Sequence, residues 1–429
     1  MGQDSEGNGT DPAARRPQAG PLGFLRPGGR DRPQLTLADP ESSEASLPPP
    51  VWQQQRRRRG ISSFAWLAVV PAGILAAVLI VHANQPLRAV SPSHTVVVVA
   101  SVPYWNVGPA TGTILAHRGD VNEVSPWMYG LGANSQIILD SGIEKSMIKV
   151  YLSRLRAQGM PIVPTLANVN AQGDWSYGPV ARMLHDPAMA TRQVAEIVAL
   201  VDSNHYAGID LDYENLQAGD RQVFSAFVTH LAGALHAKGK ILSVALFAKT
   251  TNAGYAPRNV AQDYAAIGRV ADQVRLMAYD YHWATSPPGP VAPIAWVRAV
   301  TGYAKTQMPA SKIVLGIPQY GYDWTNHHGT AISWMQAIHL ARRYHVQPHY
   351  SASSQAPWFT YTDASGHQHT VWFENAESSR AKLELAHGAG IGGVYLWMYG
   401  TGDPATWPAL HQVFPVVTHS AHASQRAAS

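Results

Sequence analysis

The chain has 429 residues, 46% of them hydrophobic, which suits one large domain or two ordinary ones with a full core and excludes wholesale disorder. The formal charge is +4, but nine arginines and seven acids fall within residues 1–62; the 23 basic and 21 acidic residues that remain are too balanced for a surface built to hold phosphates. The absence of cysteine rules out disulfides, thiol catalysis and cysteine-ligated zinc, without fixing the compartment.

Residues 1–60 are rich in Pro, Gly, Ser, Arg and Gln, show no apolar periodicity, and read as a disordered tail. The tail ends in Arg56–Arg59. The stretch Ile61 to Ala83 then runs without a charged side chain, long enough to span a bilayer. Arginines before the span and none of that density after it place the N-terminus in the cytoplasm and the body outside the membrane. A cleaved signal peptide is the alternative, since Val81-His82-Ala83 resembles a cleavage site, but the region before it is far too long. The lipid bilayer is thus one expected partner, through residues 61–83, and nucleic acid is not.

From about Ser93, short apolar runs alternate with helix-like stretches. The strand candidates are Thr95–Ala100, Asn122–Met128, Pro161–Asn168, Ala207–Tyr213, Ile241–Phe247, Gln273–Ala278, Ile313–Ile317 and Gly392–Leu396. Helix-like segments such as Arg192–Ser203 and Arg221–His236 separate them. Near-continuous apolar strands alternating with helices indicate a parallel sheet covered by helices. Eight of them predict an α/β fold, a (β/α)8 TIM barrel over about residues 93–415. The gap before the last strand is too long for one crossover. Ser333–Tyr344 reads as a helix there, and Trp358–Thr362 and Thr370–Phe373 as strands, giving a small α+β insertion at about 325–388. Residues 416–429 read as a second disordered tail.

The chemistry concentrates in Gly208-Ile209-Asp210-Leu211-Asp212-Tyr213-Glu214. Side chains alternate along a strand, so Asp210, Asp212 and Glu214 share one face and Ile209 and Leu211 take the other. In a barrel the acidic face is the lumen, with Glu214 nearest the C-terminal mouth, where active sites lie. Burying three neighbouring carboxylates is costly unless protons, hydrogen bonds or cations compensate. Their repulsion keeps at least one of them protonated near neutral pH, as a coupled unit. A solvated acidic edge strand is the plain alternative, and the apolar residues between the acids argue against it. A calcium or magnesium site is another, but the EF-hand pattern needs a glycine after its third ligand, and Asn215 stands there. His327-His328 lacks the helical spacing of a zinc pair, so neither a metal nor another cofactor is expected.

The run Gly208–Glu214 resembles the D-x-x-D-x-D-x-E signature of glycoside hydrolase family 18, the chitinase-like hydrolases. The last three acids match; the first Asp is replaced by Ala207. Similarity is closest to the bacterial branch acting on cell walls, including spore-cortex-lytic N-acetylglucosaminidases, and covers roughly residues 95–410. Met277-Ala278-Tyr279-Asp280-Tyr281 resembles the family's M-x-Y-D motif, and Gly316–Gly321 its seventh-strand segment. Val371–Asn375 resembles the end of that branch's insertion, and Gly393–Trp397 the last strand with its platform Trp.

The resemblance implies retention of configuration through the substrate's own N-acetyl group, an exception to the two-carboxylate scheme. It makes Glu214 the general acid and then the base for water, Asp212 the group that orients the acetamido, and Asp210 the residue that tunes Asp212. Tyr279 would donate to the acetamido oxygen, Asp280 would contact sugar hydroxyls, and Trp397 would floor the subsite. Met277 and Tyr281 belong to the same motif. Tyr104, Trp105, Trp127, Asn168 and Tyr320 all follow strands, and either line subsites or simply pack. The expectation is a membrane-tethered hydrolase of N-acetylglucosamine-containing polysaccharide, peptidoglycan before chitin. A non-catalytic lectin on the same barrel is the alternative, and the intact Glu214 speaks against it.

Overall fold

In the computed structural model the apolar runs become strands of one closed parallel sheet. The structure describes residues 96–139, 145–252 and 256–414. The first eight strands are β1 (Val97–Pro103), β2 (Glu123–Leu131), β3 (Ile137–Leu139), β4 (Thr165–Ala167), β5 (Gly208–Asp212), β6 (Ile241–Phe247), β7 (Gln273–Met277) and β8 (Ile313–Pro318). After them come β9 (Tyr320–Thr325), β10 (His328–Ser333), β11 (His349–Ser351), β12 (Ala356–Thr362), β13 (Gln368–Phe373) and β14 (Gly393–Trp397). The neighbour order β1-β14-β8-β7-β6-β5-β4-β2 is closed by direct pairing of β1 with β2, and all eight run parallel. This is the expected (β/α)8 barrel. The short β3, not anticipated, lies antiparallel on β2.

The covering helices follow from their apolar spacing. Arg221–His236 buries Phe224, Phe227, Val228, Leu231, Ala232 and Leu235, one stripe at three- and four-residue steps. Each large side chain on that stripe contributes about 1.5–3 kcal/mol of burial. Pro187–Ser203 starts earlier than its apolar pattern suggests, because Asp186 caps it by accepting from the amides of Ala188 and Met189, with Pro187 in the first turn. Gly208 opens β5 where any Cβ would stand 2.1 Å from the carbonyl oxygen of Ile241. Only glycine lets β5 and β6 approach so closely, and that approach sets the height of the acidic run.

The insertion is a second sheet of order β10-β9-β13-β12-β11, antiparallel throughout, with the helix Trp334–Arg343 laid against it. Its small core contains Ile332, Ala337, Ala341, Phe359, Tyr361, Val371 and Phe373. The observed limits differ from the expected 325–388 at both ends. The β9–β10 hairpin brings the start forward to Tyr320; its turn residues Asn326 and His327 both have positive φ, a turn that usually announces itself by glycine. The end falls at Phe373, because Ala376–Ala389 buries Leu383, Leu385 and Ala386 in the barrel's core.

The tail 1–60, the proposed span 61–83 and the tail 416–429 lie outside the described residues. Among the described residues no helix is long and apolar enough to cross a membrane.

Candidate active site

Strand β5 carries out the division its alternation dictates. Ile209 and Leu211 are fully buried towards the helices, while Asp210 and Asp212 enter the lumen and are buried there too. Glu214 lies two residues past the strand end and is only half-buried. Its main chain is bracketed by the buried Asn168: the Glu214 amide donates to Asn168 Oδ1 at 2.7 Å, and Asn168 Nδ2 donates to the Glu214 carbonyl at 2.9 Å.

The two aspartates have different surroundings. Asp210 accepts from Ser243 Oγ at 2.6 Å and Thr165 Oγ1 at 2.9 Å, and Arg275 Nη1 stands 3.1 Å from its Oδ2. Asp212 accepts from Trp127 Nε1 at 3.3 Å through Oδ2, whereas its buried Oδ1 has no hydrogen-bond partner. Burial, then the charges of Glu214 and Asp210, hold the Asp212 carboxyl well above the usual carboxylate range.

Below the acids lies a buried ionic layer. Arg275 donates through Nη2 to Glu123 Oε1 and through Nη1 to Ser125 Oγ, both at 2.6 Å. Gln273 Nε2 donates to Glu123 Oε2 at 2.7 Å. Beside the acids, the Tyr395 hydroxyl donates to that of Tyr279 at 3.0 Å, and desolvation keeps Tyr279 far above its ordinary range, hence protonated. Asp280 follows β7 with φ 56° and accepts, through Oδ1, from Tyr320 at 2.6 Å and Tyr322 at 3.0 Å. Trp397, half-buried at the end of β14, packs against the small cluster of Val99, Val314 and Tyr395 that Tyr279 also contacts. Tyr104 stacks on Trp127 with centroids 6.4 Å apart, and Trp105 meets Tyr104 edge-on at 4.9 Å.

The family pattern of glycosyl hydrolases family 18 matches residues 131–402. The chain belongs to that family. The cortical fragment-lytic enzyme of Bacillus subtilis (strain 168) is 34% identical over 305 residues, 69% of this chain and 70% of that protein. YdhD of the same organism, named a sporulation-specific glycosylase, is 36% identical over 249 residues; the match takes in 57% of this chain and 59% of YdhD, less than two thirds of its length. Among solved structures, a chitinase from Chromobacterium violaceum ATCC 12472 superposes with a TM-score of 0.69 at 32% identity, covering 74% of this chain and 98% of that one. The spore cortex-lytic enzyme SleL of Bacillus cereus gives 0.67 at 28% identity, covering 74% of each. This family 18 chain is a glycosidase.

Within the family 18 site, the structure bonds Asp212 to Trp127, Asp210 to Thr165, and the Glu214 main chain to Asn168; it links Tyr279 to Tyr395 and Asp280 to Tyr320. Two of the expected substrate-contacting side chains turn inward instead. Asn168 spends its amide on the Glu214 main chain and the Ser176 carbonyl, and Tyr320 is fully buried with its hydroxyl on Asp280. The Tyr281 ring packs on Trp296 with centroids 5.1 Å apart. Met277 is half-buried at the end of β7, paired in register with Phe247 of β6. Among the described residues no group of three or more acidic, His or Cys side chains is arranged to hold a metal ion.

Sequence reasoning missed Arg275, Glu123, Gln273, Tyr322 and Tyr395. A signal for the first three existed. Gln273, Arg275 and Met277 alternate with Val274 and Leu276, and Glu123, Ser125 and Trp127 alternate along β2. That is the same period-two pattern that revealed the acids.

Proposed function

We propose that this glycosidase hydrolyses β-linked N-acetylglucosamine-containing glycans, peptidoglycan before chitin, by substrate-assisted retention. The supporting observation is Asp212: a buried carboxyl with one oxygen lacking a partner, held well above the usual carboxylate range by burial and by the charges of Glu214 and Asp210, and standing between an Asp210 bonded by Ser243 and Thr165 and a half-exposed Glu214. A substrate acetamido group placed there would meet Asp212 Oδ1 with its N–H. Tyr279, whose oxygen already accepts from Tyr395, keeps its own proton for the acetamido oxygen.

In the first step Glu214 gives its proton to the glycosidic oxygen as that bond breaks. The acetamido oxygen attacks the anomeric carbon from the opposite face, and Asp212 and Tyr279 stabilise the bicyclic intermediate. In the second, Glu214 takes a proton from water, water opens the ring, and the anomeric configuration is retained. Trp397 and Trp127 offer apolar faces to the sugar, and Asp280, positioned by two tyrosines, would contact its hydroxyls. The relatives named for cortex lysis support peptidoglycan; the chitinase keeps chitin second. Residues 61–83 would anchor the enzyme with its barrel outside the membrane. Protease added to spheroplasts should then reach the barrel; digestion confined to residues 1–60 would reverse that topology.

The direct test is digestion of purified peptidoglycan and of chitooligosaccharides by the full chain, with products read by mass spectrometry and reducing-end release. Cleavage at N-acetylglucosamine residues, abolished in Glu214→Gln, supports the reading. Binding without release of reducing ends, by the unmodified chain on both substrates, would replace it with a glycan-binding function.

A further inference from the structure

The lumen beneath the acids contains more charge than acid–base chemistry by Glu214 and Asp212 requires. Arg275 and Glu123 are both buried and join three strands of the barrel: β7, β2 and β5. Removing a guanidinium and a carboxylate from water costs several kcal/mol per ion, and apolar side chains would fill such a layer at no such cost. The position invites a reason beyond packing.

The hydrogen-bond inventory supplies one. Every group that reaches Asp210 is a donor: Ser243 on Oδ1, Thr165 and Arg275 on Oδ2. Arg275 has no acceptor to offer, so a proton on that side of Asp210 would face a cation. Two residues further along the same strand face, Asp212 has a single donor and an oxygen with no partner. The other groups facing this layer are few. They are Glu123, Ser125 and Gln273, the Tyr395 hydroxyl from β14, and Asp212 itself; Val99 of β1 and Val314 of β8 complete the ring without charge.

We propose that Arg275 is a positioning residue for the reaction: with Ser243 and Thr165 it commits both oxygens of Asp210 to donors, and so leaves Asp212, with its partnerless Oδ1, as the carboxyl of the acidic run that meets the substrate's acetamido group. Glu123 acts through Arg275, sharing its charge and so limiting how strongly it draws on Asp210. The inference rests on the substrate-assisted reading and adds to it the residue that decides which carboxyl is left to meet the acetamido group.

The sign of the effect follows from charge alone. Losing a buried cation favours protonation of the carboxyls around it, and losing a buried anion does the reverse. Because the acids titrate together, the displaced quantities are the limbs of the whole pH profile. The experiment is the pH dependence of kcat and KM for reducing-end release from chitooligosaccharides and peptidoglycan, using the full chain and three variants. Arg275→Met should lower kcat about 10–100-fold near neutral pH, keep KM within about twofold, and move both limbs upward by about one pH unit. Arg275→Lys should restore most of the limb position, and Glu123→Gln should move the limbs the opposite way. If Arg275→Met does not fold, the opposed shifts of Arg275→Lys (slightly up) and Glu123→Gln (down) carry the test. Unmoved limbs in folded variants, or shifts of the same sign on removing the cation and the anion, would overturn the inference. Failure of the underlying reading looks different: the unmodified chain would then cleave glycans lacking the 2-acetamido group.

Discussion

Among the described residues, buried ion pairs occur in two different parts of the molecule. In the barrel lumen Arg275 joins Glu123 and Asp210; at the base of the insertion Lys382 donates to Glu374 Oε2 at 2.7 Å, with both side chains essentially inaccessible. The desolvation cost is of the same kind in both places, but the surroundings differ. The lumen group lies directly beneath the acids of β5, with Arg275 on Asp210 two residues along the strand from Asp212. The insertion pair touches no reacting group: Glu374 follows β13, its amide donates to the Tyr320 carbonyl at 3.1 Å, and Lys382 belongs to the barrel helix Ala376–Ala389. It therefore ties both ends of the insertion to the barrel. A buried charge can serve chemistry or register, and its neighbours tell which.

The largest expected effects break the comparison at its chemical end. Glu214→Gln should lose about 10²–10⁴-fold in turnover while thermal unfolding and glycan binding stay near those of the unmodified chain. Asp212→Asn should likewise damage kcat far more than KM. Preserved turnover in either variant, measured by reducing-end release, would remove the acids from the mechanism.

At the other pair, the expected loss is of stability. Lys382→Met leaves Glu374 buried without its cation and should lower the unfolding free energy by about 3–5 kcal/mol. Replacing Glu374 by Leu in the same chain should recover much of that loss. Below the unfolding midpoint, kcat should remain within about twofold. Denaturant titration and kinetics at low temperature read the two quantities separately; a large fall in kcat with intact stability would mean that the insertion pair also serves the reaction.

These expectations show what was legible in the sequence. The eight barrel strands were visible because fully buried parallel strands are near-continuous apolar runs, and the acids because they interrupt one such run at every second position. Arg275 interrupts Gln273–Met277 in the same way, yet a single cation in an apolar strand reads less loudly than three acids. The β9–β10 hairpin escaped because Asn326-His327 makes its turn without glycine. Ala376–Ala389 falls within the expected insertion because sequence length alone does not say which sheet a helix covers. Asn168 and Tyr320 were recognised as residues following strands; which way a side chain turns there depends on partners remote in sequence, the Glu214 main chain and Asp280.

Smaller effects sharpen that last point. Tyr320→Phe removes a hydrogen bond to a carboxylate, worth about 1.5–3 kcal/mol in general, and leaves Tyr322 as the remaining tyrosine on Asp280. The expected outcome is a several-fold rise in KM with a smaller change in kcat; an unchanged KM would separate Asp280 from sugar binding. The smallest effect lies on the insertion's rim. The backbone amide of His367, with further donors from His367, Ser365 and His369, lowers the Asp363 carboxyl to about 2. Its folded value lies below the unfolded one, so its contribution is present above about pH 4 and is lost as pH falls through about 2. Carboxyl NMR should place that midpoint, and Asp363→Asn should leave turnover untouched.

The most direct test of the central claim compares paired substrates. The full chain should cleave N-acetylated chitooligosaccharides and peptidoglycan with retention of the anomeric configuration, and should not measurably cleave the same chains with the 2-acetamido group replaced by hydroxyl. Efficient cleavage of the hydroxyl analogue, or a covalent glycosyl adduct on Asp212 detected by mass spectrometry, would contradict the account.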